Sequence, residues 1–338
     1  MKKQTQLLIL SLAMTLSSTS VIADSSLNKF ISETVINGAI EIESHFSNDF
    51  TNQSTNDISV ATLQLLFDSE INKHVSTHIS LLHEDDAPVS VDEASIQIKI
   101  SNSVSLIVGQ MYLPFGNHNS NMLSDSLSHE FSETNETSSL LKYESATVRS
   151  SIYIFNGETK TSTPSDTIDN LGFDMAYVSD SIEVGFSYTN NISNSNLIAE
   201  SVPLVASQPT VTAYVSAASV YTNLKVGQVT AFFEHITALD EFSASDLSIS
   251  TTKTSPEISS LEISIAIQDT LFSIGFQSTQ ETIDFQLPKQ RWLASYSRKV
   301  FKDTALTFEL YTDKDYSVAD GGTNNDAASA TVQLAVAF

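Results

Sequence analysis

The amino-acid sequence predicts an all-β protein. The expected fold is a transmembrane antiparallel β-barrel of about sixteen strands, with short periplasmic turns and long external loops. Three observations carry this expectation. Apolar residues recur at every second position along most of the chain. The connections between these segments are alternately short and long. The N-terminus reads as an export signal.

The export signal comes first. Lys2 and Lys3 form a basic start, and Leu7 to Leu16 is apolar apart from Ser11 and Thr15. Val21 and Ala23 suit a cleavage site between Ala23 and Asp24. Residues 1–23 are read as a signal peptide, 24–34 as a short periplasmic segment and 35–338 as the barrel. The apolar run is too short for a spanning helix, and no later run approaches about 18 apolar residues.

Sixteen segments then alternate. They lie near 35–46, 57–67, 73–83, 91–100, 103–112, 138–144, 146–156, 169–179, 181–190, 211–221, 223–234, 259–268, 270–278, 290–299, 302–312 and 328–338. In the twelfth, Leu261, Ile263, Ile265 and Ile267 interleave with Glu262, Ser264, Ala266 and Gln268. Period two is the strand period, because successive side chains point to opposite faces. Most segments have the length a tilted strand needs to cross a hydrocarbon core.

The connections separate a membrane barrel from a soluble sandwich. Short links follow every even segment, as at Ser101-Asn102, Ser145, Asp180, Thr222, Asp269 and Phe301. Longer polar links cover 47–56, 84–90, 113–137, 157–168, 191–210, 235–258, 279–289 and 313–327. A barrel with one short rim and one long rim has this pattern. The last segment runs Ala330, Val332, Leu334, Val336 and Phe338, and a terminal Phe resembles the signal read by the barrel-assembly machinery of Gram-negative bacteria.

Composition excludes several functions. Lys and Arg number 16 against 40 Asp and Glu, a formal charge of −24, which repels nucleic acid. There is no Cys, which removes thiolate metal sites, thiol nucleophiles and disulfides. No Gly-x-Ser-x-Gly run pairs a nucleophile with a base, so no enzyme and no cofactor is expected. His74 and His78, read as lying on one strand face, would be about 13 Å apart, too far for one metal ion. Glu84, Asp85 and Asp86 read as a solvated loop start.

Sixteen strands leave an aqueous lumen. The third long connection, 113–137, is the candidate inward loop. It carries Asn117, Asn119, Asn121, Asp125, Glu130, Glu133 and Glu136, with no Lys or Arg. Inside the lumen, such a loop would favour cations. Gln110 and Tyr112, just before it, join the expected pore set. Strand parity adds Lys142, Arg149 and Arg291 as inward wall charges, with Leu141, Tyr143, Ile152, Trp292 and Tyr296 outward. Opposing loop acids and wall bases would set up a transverse field.

Two stretches carry a family resemblance. One spans 75–94, with His83, Glu84, Asp85 and Asp86. The other runs Val108, Gly109, Gln110, Met111, Tyr112, Leu113, Pro114, Phe115, Gly116 and Asn117 and continues through 121–125 to 133–136. Both resemble the LbtU-type siderophore porins, among the phosphate-selective-porin-like barrels. The resemblance implies passive uptake of ferric siderophore across the cell outer membrane without an energised plug. A general diffusion porin with cation preference, or a structural or surface-recognition barrel without transport, stays open beside it. The partners expected are outer-membrane lipid and lipopolysaccharide, the barrel-assembly machinery, a small solute and further copies of the chain in a homotrimer.

Overall fold

A computed structural model describes residues 34–84, 87–161, 167–205, 207–247 and 252–338. The expected signal peptide, its Ala23–Asp24 cleavage site and segment 24–33 lie outside these residues, as do Asp85 and Asp86.

Alternation becomes a closed antiparallel barrel of sixteen strands. Their bounds are β1 Thr34–Asn48, β2 Ser54–Asn72, β3 Val75–Glu84, β4 Ser90–Lys99, β5 Val104–Tyr112, β6 Asn135–Glu144, β7 Val148–Phe155 and β8 Asn170–Val178. They continue with β9 Ile182–Thr189, β10 Ala217–Val226, β11 Val229–Ala238, β12 Glu257–Ile267, β13 Thr270–Gln280, β14 Gln290–Phe301, β15 Thr304–Lys314 and β16 Asp326–Ala337. Every strand pairs with its sequence neighbours, and β1 closes on β16. Closure leaves no strand edge to satisfy in lipid. At the seam the Gly38 and Phe338 backbones exchange two hydrogen bonds, and the Phe338 ring covers Gly38.

Outward positions are apolar: Leu261, Ile263 and Ile265 on β12, Phe272 and Ile274 on β13. Trp292 is 60% exposed on the outer wall and packs on Phe276 with ring centroids 4.5 Å apart. Inward positions are small or polar, as in Ser260, Glu262 and Ser264. The expected outward and inward residues of β6, β7 and β14 fall where parity places them.

Two strands are shifted from expectation. The turn expected at Thr222 lies at Gly227-Gln228, and Lys225 pairs with Thr230 across it. Gly227 takes φ +61°, a turn conformation that glycine accepts without strain. Residues 211–216 alternate like a barrel strand, but Val211, which ends a short strand paired with Lys160–Thr161 outside the barrel, and Val215 are buried in the core of the external connections instead. That core also holds Phe115, Leu127, Phe131, Ile192, Ile198, Phe242 and Phe285, so four external connections fuse into one apolar cap over part of the mouth. Burying these side chains drives the packing of the loops.

His74 is not on β3. It sits in the turn, where its N–H donates to Asn72 Oδ1, so His74 and His78 do not share a strand face. Among the described residues, no three His, Asp or Glu side chains converge as a metal site would require.

Candidate pore constriction

Loop 113–134 turns into the barrel. Its base is tied by the Leu113 N–H to the Thr134 carbonyl at 2.9 Å. Gly116 bends the chain with φ +82°, and a Cβ there would lie 2.6 Å from Glu234 Oε1. The chain then crosses the inner wall, tied to it at each step. The Gly116 N–H donates to Ser187 Oγ on β9 (2.8 Å), and the Asn117 N–H to Glu234 Oε1 on β11 (2.8 Å). Ser120 Oγ and the Asn121 N–H donate to the two oxygens of Glu262 on β12, at 2.8 and 2.9 Å. The Leu123 and Ser124 N–H groups donate to the two oxygens of Glu309 on β15, at 2.7 and 2.9 Å.

These three wall carboxylates supply acceptors for a loop that has no secondary structure over 113–126. Buried backbone N–H groups need partners, and a carboxylate makes a stronger bond than a neutral acceptor. The loop returns as a short helix, α1 (Leu127–Ser132), capped by Ser126, whose Oγ accepts from the His129 N–H at 3.1 Å. Leu127 and Phe131 anchor α1 in the apolar core. Arg291 on β14 grips Asp313 with two bonds, at 2.8 and 3.0 Å, and reaches Glu130 on α1 at 3.0 Å.

Histidine, rather than Lys or Arg, compensates part of the loop's acidity. His129 lies between Asp125 (2.9 Å) and Glu133 (2.5 Å) and stacks on His118 at 4.2 Å. Burial opposes charge on His129, but hydrogen bonds to Asp125 and Glu133 outweigh it and raise the pKa to about 10. Burial, aided by the charge of His129, pushes His118 down to about 3, so a neutral ring stacks on a charged one. Burial works against charge on Asp125 too, yet the bond from His129 holds it below its ordinary value. Glu130 is raised by burial, which Arg291 only partly offsets.

The expected site residues therefore separate. Asn117, Asn119, Asn121, Asp125, Glu130 and Glu133 belong to the inward loop. Gln110 and Tyr112 do not face the pore: they pair with Thr137 and Asn135, on the outward parity of Leu106 and Val108. The Tyr112 hydroxyl donates to Asp92 at 2.7 Å near the external rim. Lys142 and Arg149 face inward, but near the short-turn rim, paired with Glu144 (2.8 Å) and Glu183 (2.5 Å). Arg291 is spent on Glu130 and Asp313. The expected transverse field is thus replaced by local pairs, because Lys142, Arg149 and Arg291 each have a carboxylate within reach.

The loop covers the wall from β9 to β15, and among the described residues none covers the inner wall of β1–β4. There Glu41, Glu43, His45, Asp57, Asp68, His78 and Glu93 share the inward parity. Glu43 accepts from Gln333 at 2.8 Å, and His78 bridges Asp68 (2.7 Å) and Glu93 (3.4 Å). Among the described residues, Glu41 makes no such pair. The sequence reading missed this wall, although Ile40 and Ile42 facing outward require Glu41 and Glu43 to face inward.

The fold is that of the outer-membrane porins, a closed sixteen-stranded barrel. It is similar to an anion-selective porin from Comamonas acidovorans, with TM-score 0.68 and 12% identity over 90% of this chain and 99% of that one. It is also similar to the outer membrane channel DcaP of Acinetobacter baumannii, with TM-score 0.62 and 11% identity over 90% and 97% of the two chains. In sequence it matches a UPF0422 protein of Coxiella burnetii, 25% identical over 67% of this chain and 51% of that protein. A UPF0422 protein of Legionella pneumophila is 21% identical over 90% of this chain and 66% of that protein. The chain thus spans half to two thirds of the length of these curated relatives. No family model matches.

Proposed function

We propose that the protein is a passive outer-membrane channel that admits small cationic and neutral solutes. One observation carries the reading: the inward loop is stitched to the β9–β15 sector of the wall, and among the described residues nothing covers the acidic β1–β4 sector. Carboxylates around a low-dielectric passage raise the local concentration of cations. Planar-bilayer recording in a salt gradient tests this. The expected result is a water-filled conductance with a cation-selective reversal potential. An absence of conductance would favour the structural barrel.

A finer reading is that the solute is a ferric siderophore. It rests on the resemblance over 75–94 and 109–136. Part of that stretch serves the architecture, since Gly116 makes the inward bend and Tyr112 faces outward. Iron accumulation with and without the gene, on a defined ferric siderophore, tests it; equal uptake would remove it. The same proposal includes a signal peptide over 1–23, a barrel over 35–338, assembly through Phe338, contact with lipopolysaccharide and a homotrimer.

A further inference from the structure

The charges of the barrel are sorted along its axis. Among the described residues, the external connections hold fourteen Asp and Glu, three of them (Asp125, Glu130 and Glu133) in the inward loop, against Lys160, Lys253 and Lys289. Within four residues of these connections the strand ends add Asp57, Glu84, Asp92, Glu93, Glu136, Glu257, Asp313 and Asp326, against Arg291 and Lys314. The other rim differs. Lys73 and Lys302 lie in short turns, and Lys99, Lys142, Arg149, Lys225 and Lys299 lie within four residues of one. Their acidic neighbours, such as Glu70, Glu144 and Glu183, are of similar number and mostly paired with them. Among the described residues, Lys225 and Lys299 face inward with no carboxylate in bridging distance. The external mouth is therefore strongly acidic, and the periplasmic exit is close to neutral with free cations.

We infer that this axial polarity makes the channel a rectifier that conducts cations more readily inward than outward. The inference rests on the channel reading and adds a direction to it. A passage that is negative at one end and neutral at the other does not fill symmetrically. A field driving cations from the acidic mouth toward the neutral exit delivers them faster than they leave, and anions follow, so the lumen fills with salt. The opposite field drains both ions and depletes it. The effect needs a screening length comparable to the passage, about 30 Å at 0.01 M salt and about 3 Å at 1 M.

Planar-bilayer current–voltage curves test this. The chain has no Cys, so Ala319→Cys in the last external connection reports orientation through a membrane-impermeant thiol reagent added to one side. At about 10 mM salt, current with the external side positive should exceed the reverse by roughly two-fold. At about 1 M the ratio should fall to one. Lys225→Glu with Lys299→Glu makes the exit acidic too, and should bring the low-salt ratio toward one while the barrel keeps its heat-modifiable mobility. A symmetric low-salt curve, or an asymmetry that persists at high salt, would overturn the inference and leave the channel reading standing. Absence of any conductance would fall on the channel reading.

Discussion

Two sectors of the barrel wall, β9–β15 and β1–β4, are built from the same kind of strand and end in opposite roles. From β9 to β15 the inward carboxylates Glu234, Glu262 and Glu309 are occupied, each accepting loop donors. Across β1–β4, the inward carboxylates Glu41, Asp57 and Glu93 meet no loop among the described residues. An inward glutamate is a fastener where a chain passes over it and a field source where none does. Its role depends on the loop, not on its own strand.

Removing the fasteners is the harshest way to break this contrast. Deleting 117–124 should leave the barrel closed and raise single-channel conductance several-fold; unchanged conductance would mean that the loop does not set the cross-section. Arg291→Gln acts on the same sector. It leaves Asp313 and Glu130 without their buried cation, a loss of roughly 3–5 kcal/mol where a buried pair is broken. The temperature at which the barrel loses its heat-modifiable mobility should fall, and current noise should rise. The open sector is probed by Glu41→Gln with Glu43→Gln. The cation-to-anion permeability ratio should fall by roughly two-fold with conductance nearly kept, because lumen charge is removed without moving the loop.

The smallest effect concerns pH. His129 has a raised pKa, so its contribution is full below about 6.5 and is lost as pH rises through about 10. Asp125 is depressed, so its contribution is present above about 3.8 and is lost as pH falls through its lower folded value. Loop noise should be lowest between these limits and rise outside them. His129→Gln should abolish the alkaline limb of that profile; an unchanged limb would remove His129 as its source.

Much of the barrel was legible because lipid on one side and water on the other force alternation onto every crossing strand. The inward glutamates Glu262 and Glu309 were visible by the same parity. Their task was not, because Asn121 meets Glu262 and Ser124 meets Glu309 across more than half the lumen wall, pairings that no local pattern encodes. The tenth strand was misplaced because Val211 and Val215 alternate as if in a barrel strand while filling the core of the external connections. Gln110 and Tyr112 were assigned to the pore by their place in a motif. Parity with Leu106 and Val108 puts them outside. His129 went unnoticed because its significance lies in Asp125 and Glu133, four residues away on either side, which matter only once α1 forms.

The division of the wall is tested most directly by single cysteines in this Cys-free chain, probed with a small charged thiol reagent during bilayer recording. Ser59→Cys and Ser95→Cys, inward on the open sector, should lose current on reaction; Ser219→Cys and Ser264→Cys, under the loop, should not. Equal reaction on both sectors, or loss of current only from the loop-covered sector, would contradict the account.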